Sequence, residues 1–123
     1  MLQELRPHLR EESLEQVLRE GAPQGLRFTA VFRDGRCLAV AGWRIVASTS
    51  ALRRLYVDDL STTSAARSRG VGGALLGELR TRSRTACCHV LDLDSGVHRH
   101  DAHRFYLRER MDITSHHFAQ RLS

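Results

Sequence analysis

Lysine is absent: all 19 basic residues of this 123-residue chain, set against 14 acids, are arginines. That excludes a P-loop nucleotide site, whose glycine loop needs a following lysine and then Ser or Thr. It also excludes modification of the chain on lysine side chains of its own. Long hydrophobic runs are missing as well. The apolar stretches are a few residues each, far below the ~20 that a membrane-spanning helix requires. The opening MLQELRPHLREESLEQ carries acids and no long apolar stretch, so no secretory signal is visible. Cysteine is scarce: Cys37, Cys87 and Cys88 are too few for a disulfide-built fold, and the adjacent pair makes a poor bridge. A reducing, cytoplasmic setting fits best. The chain also lacks an arginine block interleaved with aromatics. Its net charge of +5 is scattered, with small clusters at Arg53-Arg54, Arg67-Arg69 and Arg80-Arg82-Arg84. That pattern argues against nucleic acid and suits any phosphorylated ligand equally well.

What is present is ordinary globular material, 41% hydrophobic and 27% charged, enough for a single core spanning residues 1–123 as one domain. Leu14, Val17 and Leu18 recur at helical spacing between Glu11 and Glu20, and Gly21, Pro23 and Gly25 end that helix. A hairpin follows, with strands over Arg27–Phe32 and Arg36–Val46 joined through Asp34-Gly35. Gly42 marks a bulge or a close backbone contact in the second of these strands. A third strand is expected from Arg53 to about Ser61, and a helix from Gly70 to about Thr81, with Val71, Leu75, Leu76 and Leu79 on one face. Ser83 to Thr85 reads as a turn, His89 to Leu93 as a strand beginning as early as Ala86, and His98 to Met111 as a helix. The tail from Met111 to Leu122 suits one or two final strands. The order predicts a mixed α/β fold.

The most informative segment is Arg67-Ser68-Arg69-Gly70-Val71-Gly72-Gly73, which leads from a strand into an amphipathic helix. A helix start presents unpaired N–H groups and the positive end of the helix dipole. Glycines let a phosphate approach that backbone, and arginines add charge. A pyrophosphate on Arg69 to Gly73 is therefore a physically reasonable ligand, with a flexible, closely packed loop as the alternative. The dinucleotide fingerprint fits poorly, because the preceding strands read as an antiparallel meander and not as a βαβ unit.

From about Leu14 to Leu122 the sequence resembles the GCN5-related N-acetyltransferases (GNAT). Arg67, Gly70 and Gly72 meet the family's glutamine-or-arginine, x, x, glycine, x, glycine-or-alanine signature. Ala102-x-x-Phe105-Tyr106 resembles the helix that carries a tyrosine near the thioester sulfur. The resemblance implies an acyl-CoA N-acyltransferase fold, a mixed and mostly antiparallel sheet flanked by helices. The family's first edge strand is expected to be missing, which exposes an edge and favours a homodimer. It implies acetyl-CoA as cosubstrate, no metal, and direct transfer to a primary amine of a small molecule or peptide. Arg67, Arg69, Gly70, Val71, Gly72 and Gly73 would hold the diphosphate, and Leu60, Ser61 and Thr62 the pantetheine arm. Arg99 stands where the family often has an asparagine near coenzyme A. Arg110 stands where it often has a glycine after the helix. A non-catalytic coenzyme-binding or regulatory module of the same fold is the alternative function.

The chemistry asks for a proton donor to the departing thiolate, a role suited to a phenol with a pKa near 10. Tyr106 takes it by the resemblance; on residue type alone it is equally a packing residue. Asp58 and Asp59, just before the strand end, are candidates to bind an ammonium group or act as base, or else simply pair with Arg53 or Arg54. On a regular strand only one of the two faces the cleft. Asp92 and Asp94 are lesser acceptor-site candidates. His98, His100 and His103 offer too few ligands on one face for a metal, while His116 or His117 has a pKa suited to a base. Cys87 and Cys88 read as packing residues, with no sign of activation.

Overall fold

The computed structural model describes residues 6, 9–66 and 70–123. Arg67 and Arg69 therefore lie outside the described residues, as does Pro7, where the sequence suggests an interrupted helix. The chain forms two compact units, Met1–Leu93 and Asp94–Ser123.

In the first unit, α1 (Glu11–Gly21) has Glu11 and Glu12 in its first turn and Arg19 in its last, each matched to the helix dipole. One 3-10 turn, Ala22–Gln24, carries Pro23, and Gly25 at φ 87° closes it. Strands β1 (Arg27–Arg33) and β2 (Arg36–Ser48) form the hairpin. Asp34 and Gly35 both take positive φ, 52° and 76°, the backbone a two-residue hairpin turn demands. Next come β3 (Leu52–Thr62), α2 (Val71–Thr85) and β4 (Val90–Leu93). The sheet runs β1-β2-β3-β4, antiparallel except for the parallel β3–β4 pair. This is the mixed, mostly antiparallel sheet flanked by helices that the family resemblance implies. Among the described residues no strand precedes β1.

Helix α2 lies across all four strands. Its Val71, Leu75, Leu76 and Leu79 are at most 3% exposed, and the sheet answers with Ala39, Ala41, Trp43, Leu55 and Val57. Each leucine removed from water in this layer stabilises the fold by about 2 kcal/mol. Trp43 donates Nε1–H to Thr29 Oγ1 at 2.9 Å, and Arg82 stacks its guanidinium 5.8 Å from the Trp43 ring centroid.

Three sequence expectations need correction. Ser83 to Thr85 is not a turn but the last turn of α2, because the buried Ser83 hydroxyl donates to the Leu79 carbonyl at 2.7 Å and is satisfied within the helix. Strand β4 accordingly begins at Val90: Cys87 takes φ 60°, and the Cys87 and Cys88 amides donate to the Arg84 and Ser83 carbonyls at the helix end. The tail contains no strand. Residues 112–123 are exposed throughout, and Ile113 stands at odd spacing from Phe118 and Leu122, which breaks the two-residue period of one strand face.

In the second unit, α3 (His100–Arg108) is shorter than the apolar pattern suggests. It closes with Arg110 at φ 65°, the Arg110 amide on the Leu107 carbonyl and the Met111 amide on the Tyr106 carbonyl, both at 3.0 Å. That is a Schellman closure, normally made by glycine.

Candidate functional site

The end of β3 is shaped by a fault in its ladder. Pairing with β2 runs regularly to Trp43↔Val57 and resumes at Gly42↔Asp59, so Asp58 is an extra residue bulged out of β3. Opposite it stands Gly42, where a Cβ would sit 3.0 Å from Cε1 of Phe28 and the ring would have to give way. Of the two readings of Gly42 the close contact applies, made by the Phe28 ring, whereas the bulge belongs to the facing strand β3.

Beyond the bulge, β2 stays paired to β3 as far as Ala39↔Thr62. The β4 ladder stops at Val57↔Leu93. Asp58 to Thr62 therefore keep an edge without a β4 partner, and alternate N–H and C=O groups of a strand face such an edge. Ser61 is buried, while Leu60 and Thr62 are half-buried.

The chain leaves β3 with the Thr63 amide on the Leu38 carbonyl at 2.9 Å and makes one 3-10 turn, Ser64–Ala66. After the three residues outside the description comes Gly70, in the left-handed region at φ 74°, with nothing within 4 Å of where its Cβ would stand. Its carbonyl accepts the Ala74 amide at 3.0 Å and starts α2. Glycine offers no capping side chain, and no acid stands in the first turn. The amides of Val71, Gly72 and Gly73 belong to the helix start that has no intrahelical acceptor. A diphosphate fits such a place, and an extended arm with amide groups fits the edge of β3 beyond its last β4 pair.

The acids are firmly engaged. Asp58 receives both Nε and Nη2 of Arg44, at 2.9 and 3.0 Å. Asp59 Oδ1 receives Arg6 Nε at 2.8 Å. Neither pairs with Arg53, which donates to the Ala86 carbonyl, nor with Arg54, which reaches Asp92 at 3.1 Å and stacks 5.4 Å from the Tyr56 ring centroid. The hydrogen bond to Asp58 raises the Arg44 pKa against the opposing effect of burial. Arg44 and Gly42 share a face of β2, so the bulge turns Asp58 and Asp59 to the same side of the sheet. Strict alternation across the two does not apply.

In the second unit Tyr106 is 9% exposed. Burial raises its phenol pKa, and the charge of Arg99 together with a hydrogen bond from it pulls the other way. Phe105 meets the Tyr106 ring edge-on at 5.3 Å. His103 bonds the Gly96 carbonyl at 2.8 Å, and His117 lies 3.8 Å from Asp94. Among the described residues no group of three or more His, Cys, Asp or Glu side chains could hold a metal. Burial raises the Cys88 pKa.

The sequence profile of the Acetyltransferase (GNAT) family matches residues 1–111. The chain belongs to the GNAT acetyltransferase family. Among curated proteins, the uncharacterised N-acetyltransferase YhdJ of Bacillus subtilis is 42% identical over 60 residues, 49% of this chain and 42% of that protein. The match thus spans less than half of the relative's length. A putative acetyltransferase from Agrobacterium tumefaciens superposes with a TM-score of 0.82 at 24% identity, over 98% of this GNAT chain and 88% of its own. An aminoglycoside N-acetyltransferase solved in complex with CoA gives 0.74 at 16% identity, over 91% and 90%. A transcriptional regulator from Bacillus halodurans gives 0.80 at 17%, over 94% and 79%. These likenesses carry the GNAT fold. No helix among the described residues is long and apolar enough to cross a membrane.

The glycine-led helix start is legible in the residues and the strand end at Leu60–Thr62 entered only through the family resemblance, while Arg44 and Arg6 were missed. An arginine two residues after Gly42, in a strand otherwise rich in small apolar residues, was the available signal.

Proposed function

We propose that this chain transfers an acetyl group from acetyl-CoA to a primary amine of a small molecule or peptide by direct attack, as a single 1–123 domain in a reducing, cytoplasmic setting. The observation that carries the reading is that β3 runs on past its last β4 pair to Thr62 and that α2 starts at a left-handed Gly70 with no side-chain cap. When bound, the cosubstrate supplies the acyl group and a thiolate leaving group. Gly70, Val71, Gly72 and Gly73 hold its diphosphate, with Arg67 and Arg69 adding charge, and Leu60, Ser61 and Thr62 pair with its pantetheine. Backbone donors of that strand end stabilise negative charge developing on the acyl oxygen, an effect that removal of one donor elsewhere shows to be worth about 3 kcal/mol.

Tyr106 delivers the proton to the departing sulfur. Its buried phenol stays protonated at neutral pH, as an acid must. Asp59 binds the incoming ammonium and takes, through water, the proton that the nitrogen must lose before it attacks: Arg6 engages Oδ1, which leaves Oδ2 for the acceptor. Asp58 is the weaker candidate, since Arg44 occupies both of its oxygens.

The test is release of free CoA from acetyl-CoA in the presence of an amine panel, alongside thermal shifts with acetyl-CoA, CoA and ATP. Stabilisation by the first two and amine-dependent CoA release are expected. Tyr106→Phe should lower kcat with little change in coenzyme affinity. Stabilisation without release under any amine would make the chain a coenzyme-binding module, and no stabilisation by a folded sample would end the reading.

A further inference from the structure

We propose that Arg44 is a positioning residue for the acyl arm: by gripping both carboxylate oxygens of Asp58 it fixes the bulge in β3 and so decides which backbone groups of Leu60–Thr62 face the free edge. The inference rests on the coenzyme reading above.

A strand alternates the direction of its side chains, and of its N–H and C=O groups, with a period of two. One extra residue therefore reverses every group beyond it. Between Trp43↔Val57 and Gly42↔Asp59 that extra residue is Asp58. If the ladder closed up over it by one position, the amides of Leu60–Thr62 now turned to the free edge would turn toward β2. Those turned to β2 would come to the edge. The arm would then meet the wrong alternation of donors and acceptors.

Something has to hold the extra residue out. Asp58 is not a glycine of the kind that relaxes into many bulges. Its carboxylate instead takes Nε and Nη2 of Arg44, at 2.9 and 3.0 Å, in a two-pronged contact that fixes orientation as well as distance. The third nitrogen, Nη1, reaches Gln24 Oε1 at 3.3 Å, so the guanidinium is held from the turn after α1 too. Both side chains are about a quarter exposed, 25% and 24%. Arg44 stands opposite Tyr56 in the ladder, on the Val57 side of the fault. The clamp thus spans the bulge itself.

The test separates the arm from the nucleotide end of the coenzyme. Calorimetric Kd values are measured for CoA and for an adenosine bisphosphate that lacks the pantetheine arm, with wild type, Arg44→Leu, Arg44→Lys and the reversed pair Arg44→Asp/Asp58→Arg. Arg44→Leu should weaken CoA about tenfold, the loss of one or two backbone hydrogen bonds, and leave the bisphosphate unchanged. Lysine should fall between, because it keeps the charge and loses the fork. The reversed pair should recover part of the loss. Equal weakening of both ligands would mean general damage to the fold and overturn the proposal, as would unchanged CoA affinity in Arg44→Leu. If wild type bound no CoA, the coenzyme reading would fail on its own. The clamp is then judged from backbone amide resonances, where Arg44→Leu must shift Asp59–Thr62 and spare Leu79; unshifted strand resonances refute it.

Discussion

Gly70 offers the cleanest separation of backbone strain from charge. It sits at φ 74° with nothing within 4 Å of its missing Cβ, so an added Cβ meets no clash. A Cβ in the left-handed region costs about 1–2 kcal/mol, and loss of glycine's freedom in the unfolded chain offsets about 0.4–1 kcal/mol of that. Gly70→Ala should therefore destabilise the fold by about 1 kcal/mol, and Gly70→Asn by less, since asparagine tolerates this conformation. Gly70→Asp matches asparagine in shape and adds a negative charge. Two unit charges 4 Å apart repel by about 1 kcal/mol in bulk water and about 4 near a protein surface. The lower value for exposed Gly70, doubled for the two charges of a diphosphate, gives about 2 kcal/mol, or roughly thirtyfold in Kd. Denaturant melts give the stabilities and calorimetry gives the CoA affinities. Asparagine should bind within a few-fold of wild type and aspartate about thirtyfold more weakly. Equal losses would refute the electrostatic account, and no loss in either would remove the diphosphate from the helix start.

Arg110 closes α3 at φ 65° where glycine is at ease, so Arg110→Gly should stabilise that closure by about 1 kcal/mol, seen as greater helical protection in amide exchange. Tyr106 is kept protonated by burial, so kcat should hold across neutral pH and fall only above the ordinary phenol range. The same raised pKa makes folding stability full below the unfolded phenol pKa, and part of it is lost as pH climbs through the folded one. In a Tyr56→Phe background Tyr106 is the sole tyrosine of the two, and Arg99→Leu should move its phenolate absorbance midpoint to higher pH; an unmoved midpoint would dissociate Arg99 from the phenol. Cys88, its pKa raised by burial, should react more slowly with iodoacetamide at neutral pH than exposed Cys87, as peptide mapping will read.

Where a local pattern dictates the backbone, the sequence was readable. Asp34-Gly35 demanded a hairpin turn, and Val71, Leu75, Leu76 and Leu79 demanded a buried helix face; both are found. The glycine-led helix start could be read for the same reason, since Gly70 does take positive φ. What could not be read depends on partners distant in sequence. The extra residue at Asp58 exists only relative to the register of β2, and its grip by Arg44 joins positions on two strands. The expected pairing with Arg53 or Arg54 looked to nearest neighbours in the chain, whereas the sheet turned those two to Ala86 and Asp92. Ser83 reads as a turn residue until its hydroxyl finds the Leu79 carbonyl one turn back. The tail's apolar residues invite strands, but Ile113 is out of step with Phe118 and Leu122 and all three stay exposed.

The most direct measurement is amide hydrogen exchange of the folded chain with and without saturating acetyl-CoA. If a diphosphate rests on the start of α2 and the acyl arm lies along β3, protection must rise together at Val71–Ala74 and at Leu60–Thr62, while the hairpin tip at Asp34-Gly35 stays unchanged. Protection confined to other segments, or no change at saturation, would contradict the account.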